Sequence, residues 1–218
     1  MNREPCRCTA NWHECRRVVV TGGPGAGKTA LLEIVRRHFC EHVAVLPEAA
    51  SIVFGGGFPR GESDAARRAG QRAIYAVQVE LEQLVVEEKA SAVALCDRGT
   101  LDGLAYWPGT AEAFFGEVGT TMETELRRYA TVIHLRTPSA ERGYNHRNPL
   151  RIESAREAAR LDEKVIAAWS GHPRRFFVDS ADDFLDKMAR VIALVRDEVP
   201  ACCRAHVVPE VAGRGRTS

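Results

Sequence analysis

Residues Arg16–Val35 read "RRVVVTGGPGAGKTALLEIV", a strand-like run joined to a helix-like one by a glycine-rich turn. Val18, Val19 and Val20 form a short continuous apolar run, the form of a parallel strand buried on both faces. Between it and the helical pattern, Gly22-Gly23-Pro24-Gly25-Ala26-Gly27-Lys28-Thr29 fits G-x-x-x-x-G-K-[ST]. The match sits directly after a strand and opens a helix, the context that this pattern requires. Glycines let the backbone curl so that successive N–H groups point inward at phosphate oxygens. Lys28 then reaches the β- and γ-phosphates, and the Thr29 hydroxyl ligates Mg²⁺. A chance match in a chain of this length is roughly a one-in-a-hundred event from average residue usage. The stretch is a nucleotide phosphate site, with ATP and Mg²⁺ as the expected cofactors; the preferred base is not readable.

Further along the chain, "HVAVLPE" (42–48), "SAVALCD" (91–97), "TVIHL" (131–135) and "RRFFVDS" (174–180) repeat the apolar strand form. Helical patterns lie between them. Over 64–89, Ile74, Val77, Leu81 and Leu84 follow a period of 3.6. Over 149–169, Leu161, Val165 and Trp169 do the same, with Asn148 and Pro149 as N-cap and first-turn residues and Gly171 at the end. A last helix is predicted from about Asp182 to Glu198. Alternating strands and helices mean an α/β fold with a parallel sheet.

The 218 residues suit one large domain, and a formal charge of +1 provides no global field towards nucleic acid or a membrane. No apolar run approaches the ~20 residues that span a bilayer. The N-terminus lacks the apolar stretch of a signal peptide, so the expected location is cytoplasmic and the seven cysteines are expected as thiols. Cys40 and Cys96 read as small core residues. Cys6, Cys8, His13 and Cys15 are zinc-type donors, but C-x-C-x4-H-x-C is not a familiar zinc spacing and the segment reads as poorly ordered, so metal binding there is the minor reading.

P-loop proteins give the γ-phosphate either to water or to a substrate. Motor and AAA-type ATPases usually place an acidic pair at a strand end; here that strand ends in Asp97-Arg98-Gly99, with Arg in place of the water-activating Glu. An N-K-x-D guanine motif is absent. The segment "CDRGTLDGLAYW" (96–107) resembles the acidic-Arg-[Ser/Gly] segment of deoxynucleoside-kinase-like enzymes, including a second Asp five residues after the first, and thymidylate kinases carry a similar Asp-Arg. With the P-loop, "PEAA" and the Arg-rich 142–160 stretch, residues 16–198 resemble a bacterial family of AAA-type ATP-binding proteins related to the nicotinamide riboside kinase domain.

This resemblance implies that Glu48 takes the proton of the acceptor hydroxyl, that Asp97 organises Mg²⁺, and that Arg98 contacts phosphate; whether Glu48 or Asp97 is the base stays open. It also implies a lid over 141–160, whose Arg147 and Arg151 face one anion across a helix start, with Glu153, Glu157 and Asp162 as alternative ion-pair partners for the remaining arginines. On the acceptor side it implies Asp102, with Tyr106 beside it, and Gln71 and Gln78 on one helix face, which a plain polar face explains equally well. The acceptor is also expected near the Gly-rich loop "SIVFGGGFPRGE" (51–62) with Arg60, a loop that departs from the nucleoside-kinase pattern.

The expected architecture is a P-loop kinase-like domain over 16–200, a five-stranded parallel sheet of order 2-3-1-4-5 between helices, with flexible segments at 1–15 and 201–218. The expected function is Mg²⁺-dependent transfer of the γ-phosphate to a small nucleoside-like or other metabolite bearing a hydroxyl or phosphate. The alternative is a regulatory ATP-binding or ATPase module that gates a partner protein. A small-molecule acceptor is the expected partner, a homodimer stays open, and neither a membrane nor a nucleic acid is expected, because a duplex would need a basic face.

Overall fold

The computed structural model describes residue 8 and residues 12–136, 155–179 and 184–204. Five strands, β1 (Arg16–Thr21), β2 (Val43–Leu46), β3 (Val93–Asp97), β4 (Thr131–Leu135) and β5 (Arg175–Val178), form one parallel sheet in the order β2-β3-β1-β4-β5. The predicted fold class and strand order are both present.

The helices are α1 (Lys28–His38), α2 (Ala49–Gly55), α3 (Asp64–Glu88), α4 (Ala111–Val118), α5 (Met122–Arg127), α6 (Ala155–Ala168) and α7 (Phe184–Glu198), with 3-10 helices at Thr100–Ala105 and Ala201–Cys203. One apolar cluster joins Val18 and Val20 of β1 to Leu31, Leu32 and Val35 of α1 and to Met188, Val191 and Val195 of α7. The other joins Val19 to Leu101, Phe114, Val165 and Trp169. Alternate valines of β1 therefore feed opposite layers, which is why the run had to be apolar throughout. Cys40 and Cys96 are core residues, as expected.

Several local readings need correction. The glycine-rich segment at 51–62 begins inside α2, which the sequence pattern did not reveal. In α3 the buried positions are Gly70, Gln71, Gln78 and Glu82, while Leu84 is 54% exposed. Polar partners explain the burial. The Glu82 carboxylate, fully buried, accepts from Tyr129 Oη (2.6 Å), Arg128 Nη2 (2.7 Å) and Gln78 Nε2 (2.9 Å). Glu125 of α5 does the same for Thr100 Oγ1 (2.6 Å), Thr120 Oγ1 (2.7 Å) and Tyr75 Oη (2.8 Å). Hydrogen-bonded groups of this kind are buried at little cost, and these fix the 3-10 helix that follows β3. Strand β5 lies at the sheet edge with Phe176 and Phe177 partly exposed, so its apolar run is not buried on both faces. The predicted helix start at Asn148 and Pro149 lies outside the described residues; the helix is described from Ala155.

Candidate functional site: the carboxyl ends of β1 and β3

The turn from β1 to α1 has a backbone that only glycine tolerates at two points. Gly22 has φ 132°, and a Cβ there would meet the Leu135 carbonyl oxygen at 2.1 Å. Gly27 caps α1 with φ 95°. The Lys28 ammonium, 4% exposed, donates to the carbonyls of Gly22 (2.8 Å) and Gly23 (3.0 Å). It thus lies folded over the loop it belongs to. Thr29 is exposed in the first turn of α1, with Pro24 and Ala26 buried and Gly25 exposed at the rim.

Two residues far along the chain hold this loop, and sequence reasoning missed both roles. The Asp162 carboxylate of α6 accepts the Gly23 N–H (2.7 Å) and meets His134 Nε2 of β4 (2.9 Å). The charge pattern offered Asp162 as an ion-pair partner for nearby arginines and did not reveal this role towards the loop and β4. Lys187 of α7, 4% exposed, donates to the Ala26 carbonyl (2.9 Å) and the Arg136 carbonyl (2.8 Å). Burial pushes its ammonium pKa down, with Asp162 and Asp179 opposing. Its sequence signal was only that lysine is scarce in this chain.

Beside the loop, β3 ends in Asp97, and Arg98 turns the chain with φ 72°, a left-handed conformation that costs a non-glycine residue about 1–3 kcal/mol. That turn aims the Arg98 guanidinium at Glu48 (Nε to Oε1, 2.8 Å) and Asp102 (Nη1 to Oδ1, 3.1 Å), over the Tyr106 ring. Asp102, 3% exposed, also accepts from Gly99 N–H (3.0 Å), Trp169 Nε1 (3.1 Å) and the Thr21 hydroxyl. Four donors occupy its two oxygens, so it braces the β3 turn against β1 and α6.

The two remaining carboxyls differ in electrostatics. Burial would raise the Glu48 carboxyl, but Arg98, the Ser51 hydroxyl and Lys28 override it and bring the pKa to about 2. Glu48 is held as an anion. Asp97 is shifted the other way: burial and the neighbouring Glu48 and Asp102 raise it against the pull of Lys28 and Arg98. Its Oδ1 is buried with no hydrogen-bond partner among the described residues. An ionisable oxygen in that state, beside a phosphate-binding loop, fits a cation or a donor that arrives with a ligand.

A cleft opens next to these groups, lined by Glu48, Gln71, Tyr75, Gln78, Arg98 and Asp102 among others. The structure therefore gathers Glu48, Arg98, Asp102 and Gln78 around one cleft, with Lys28 and Asp97 adjacent and Tyr106 under Arg98. Arg60 is not brought in; it stacks on Phe54 at the α2–α3 corner, 5.2 Å from the ring centre. Arg147 and Arg151 lie outside the described residues.

A search among curated proteins finds no match for this sequence. The fold is similar to that of thymidylate kinase from Candida albicans, at a TM-score of 0.58 and 13% identity, over 84% of this chain and 92% of that one. That likeness is one of fold, and the P-loop kinase-like sheet order agrees with it. The AAA domain family AAA_28 matches residues 17–187, from the first residues of β1 into α7. With the glycine-rich turn, the β3 carboxyl end and the sheet between them all inside that match, the chain belongs to the AAA domain family.

Proposed function

We propose that the protein transfers the γ-phosphate of ATP to a small hydroxyl- or phosphate-bearing acceptor bound in the cleft beside Glu48 and Gln78. One observation carries this reading. The P-loop lysine after β1 and, at the end of β3, Arg98 and a carboxylate whose oxygen has no hydrogen-bond partner among the described residues lie side by side, and a cleft lined by Glu48, Gln78 and Arg98 opens next to them. A water-activating Glu is missing from that strand end.

In this reading the amides of the 22–28 loop and the Lys28 ammonium hold the phosphates, Lys28 exchanging its loop carbonyls for phosphate oxygens. Thr29 and Asp97 are the residues that would hold Mg²⁺, whose charge, when bound, offsets that of the phosphate oxygens. Arg98 stays protonated between two carboxylates and turns towards the transferring group. Glu48 orients the acceptor hydroxyl at the cleft mouth. With a pKa of about 2 it is a weak base until its pairing with Arg98 loosens, so its main contribution is positioning. Gln71 and Gln78 present amide groups to the acceptor. Arg147 and Arg151 would close over the transferring phosphate and exclude water.

The test is incubation of the protein with γ-labelled ATP and a metabolite pool. Label appearing in a compound other than inorganic phosphate supports the kinase reading. Label found only in inorganic phosphate, at a rate that no acceptor changes, supports the regulatory ATPase instead.

A further inference from the structure

The amino ends of the strands carry a second cluster of reactive side chains. Cys8, His13, His42 and Cys203 each turn one ligand atom inward, and the four atoms lie within 4.8 Å of one another. The Cys8 sulfur is 3.5 Å from His13 Nε2, and His42 Nδ1 is 3.1 Å from the Cys203 sulfur. A tetrahedral ion with Zn–N of about 2.0–2.1 Å and Zn–S of about 2.3 Å has ligand-to-ligand edges of about 3.3–3.8 Å. The Cys8–His13 edge of 3.5 Å falls inside that range, and the His42–Cys203 edge of 3.1 Å lies just below it. The imidazole rings of His13 and His42 meet edge-on at 4.6 Å beside the two sulfurs.

We propose that these four residues form a structural Zn²⁺ site that fastens the amino-terminal segment and the turn after α7 to the sheet. Two thiolates and two imidazoles are a soft donor set that selects zinc over the hard cations Mg²⁺ and Ca²⁺. Two thiolates also cancel the charge of the ion, which suits a place where Cys203 is buried and the others are half-buried. All four positions are taken by protein, the closed coordination of a structural rather than a catalytic site. Metal uptake releases the two thiol protons to solvent and changes no oxidation state.

The scaffold supports the geometry from separate directions. The His42 carbonyl accepts Ala92 N–H (2.8 Å) and Val93 N–H (3.1 Å) at the entry to β3. His13 N–H reaches the Lys89 carbonyl (3.4 Å), and Cys203 belongs to the core cluster of β1 and α7, with Cys8 packed against it. The ligands come from before β1, before β2 and after α7. The site therefore lies at the opposite end of β1 from the P-loop, about 20 Å away along a six-residue strand. Cys15 is not part of it; that residue packs against the layer that contains Trp169. Cys6 lies outside the described residues.

The experiment measures zinc per chain in the full-length protein, purified without chelator or metal-affinity resin. About one zinc per chain is expected, retained in Cys15→Ser and lost in Cys203→Ser and His42→Asn. To separate loss of metal from loss of fold in those variants, chelator-stripped wild type is also titrated with Co²⁺. A tetrahedral spectrum with thiolate-to-cobalt charge transfer, displaced by Zn²⁺, is the expected result. The proposal is overturned by any of three outcomes: wild type that carries no zinc and gives no thiolate–cobalt signal, zinc that persists in both ligand variants, or a Cys8–Cys203 disulfide by mass spectrometry.

Discussion

The two ends of one sheet are built on opposite terms. At the amino ends charges are paired: Glu198 gathers Arg16 (2.9 Å), Arg174 (2.6 Å) and the Thr131 hydroxyl (2.6 Å). At the carboxyl ends the backbone turns left-handed at Gly22, Gly27 and Arg98, and four charged groups, Lys28, Glu48, Asp97 and Arg98, crowd together. One of them, Asp97, keeps a buried oxygen with neither a hydrogen bond nor an ion pair among the described residues, whereas the Glu198 oxygen that lacks a hydrogen bond still meets the Arg16 guanidinium. Local strain and incomplete pairing persist where the surrounding structure enforces them, and they collect where a ligand supplies the missing contacts. The contrast separates residues kept for holding the fold from residues kept for chemistry.

Lys28→Ala should widen that contrast most. Transfer should fall by about 10³-fold or more, because in the proposed reading the ammonium exchanges the Gly22 and Gly23 carbonyls for the phosphate oxygens. The melting temperature should fall by only a few degrees, since two hydrogen bonds to loop carbonyls are lost while the cost of burying the ammonium is removed, which thermal unfolding alongside an ADP-release assay will check. Glu82→Ala should do the reverse. It leaves Arg128 half-buried without its main partner and should cost about 3–5 kcal/mol of stability by denaturant unfolding. If the protein keeps enough fold to be assayed, the loss of turnover should follow the loss of folded protein alone.

The carboxylates on either side of Arg98 give a smaller and more pointed comparison. Glu48→Gln should lower kcat by about 10²-fold, the low end for a group that also acts as a base. The Glu48 pKa is below its unfolded value of 4.5, so the residue stabilises the fold above about pH 4.5, and that contribution disappears as pH falls towards about 2. The stability gap between wild type and Glu48→Gln should therefore be widest near neutral pH and close at low pH. Asp97 has the opposite sign. Its raised pKa favours the folded state at low pH, and that advantage is lost as pH rises through the folded pKa. Asp97→Asn should then stabilise the protein at pH 7 while impairing transfer. A loss of stability in Asp97→Asn at pH 7 would place Asp97 with the structural carboxylates.

What could be read from the chain follows the distance over which each feature is encoded. The P-loop is contiguous, eight residues with a strand before and a helix after, and its place in the fold was legible in full. The five strands were legible because each is a short apolar run. Helix α3 was legible as a helix, but its buried face was not, since Glu82 is buried by Tyr129 and Arg128, more than forty positions away. Asp102 read as an acceptor contact from its place in a short motif, whereas Thr21 and Trp169 engage its carboxylate from elsewhere in the chain. The support of Gly23 by Asp162 and of Ala26 by Lys187 was hidden for the same reason. The Cys8–His13–His42–Cys203 cluster is the extreme case. Its spacing looks like no zinc motif because half of its ligands come from distant parts of the chain.

The measurement that tests the central claim most directly is ADP release with and without a panel of nucleosides and small hydroxylated metabolites, run in wild type and in Asp97→Asn. The account predicts slow release from wild type alone, strong stimulation by at least one acceptor with equal labelling of that acceptor, and loss of the stimulated rate in Asp97→Asn. Release that no acceptor accelerates, with all label in inorganic phosphate, would contradict it.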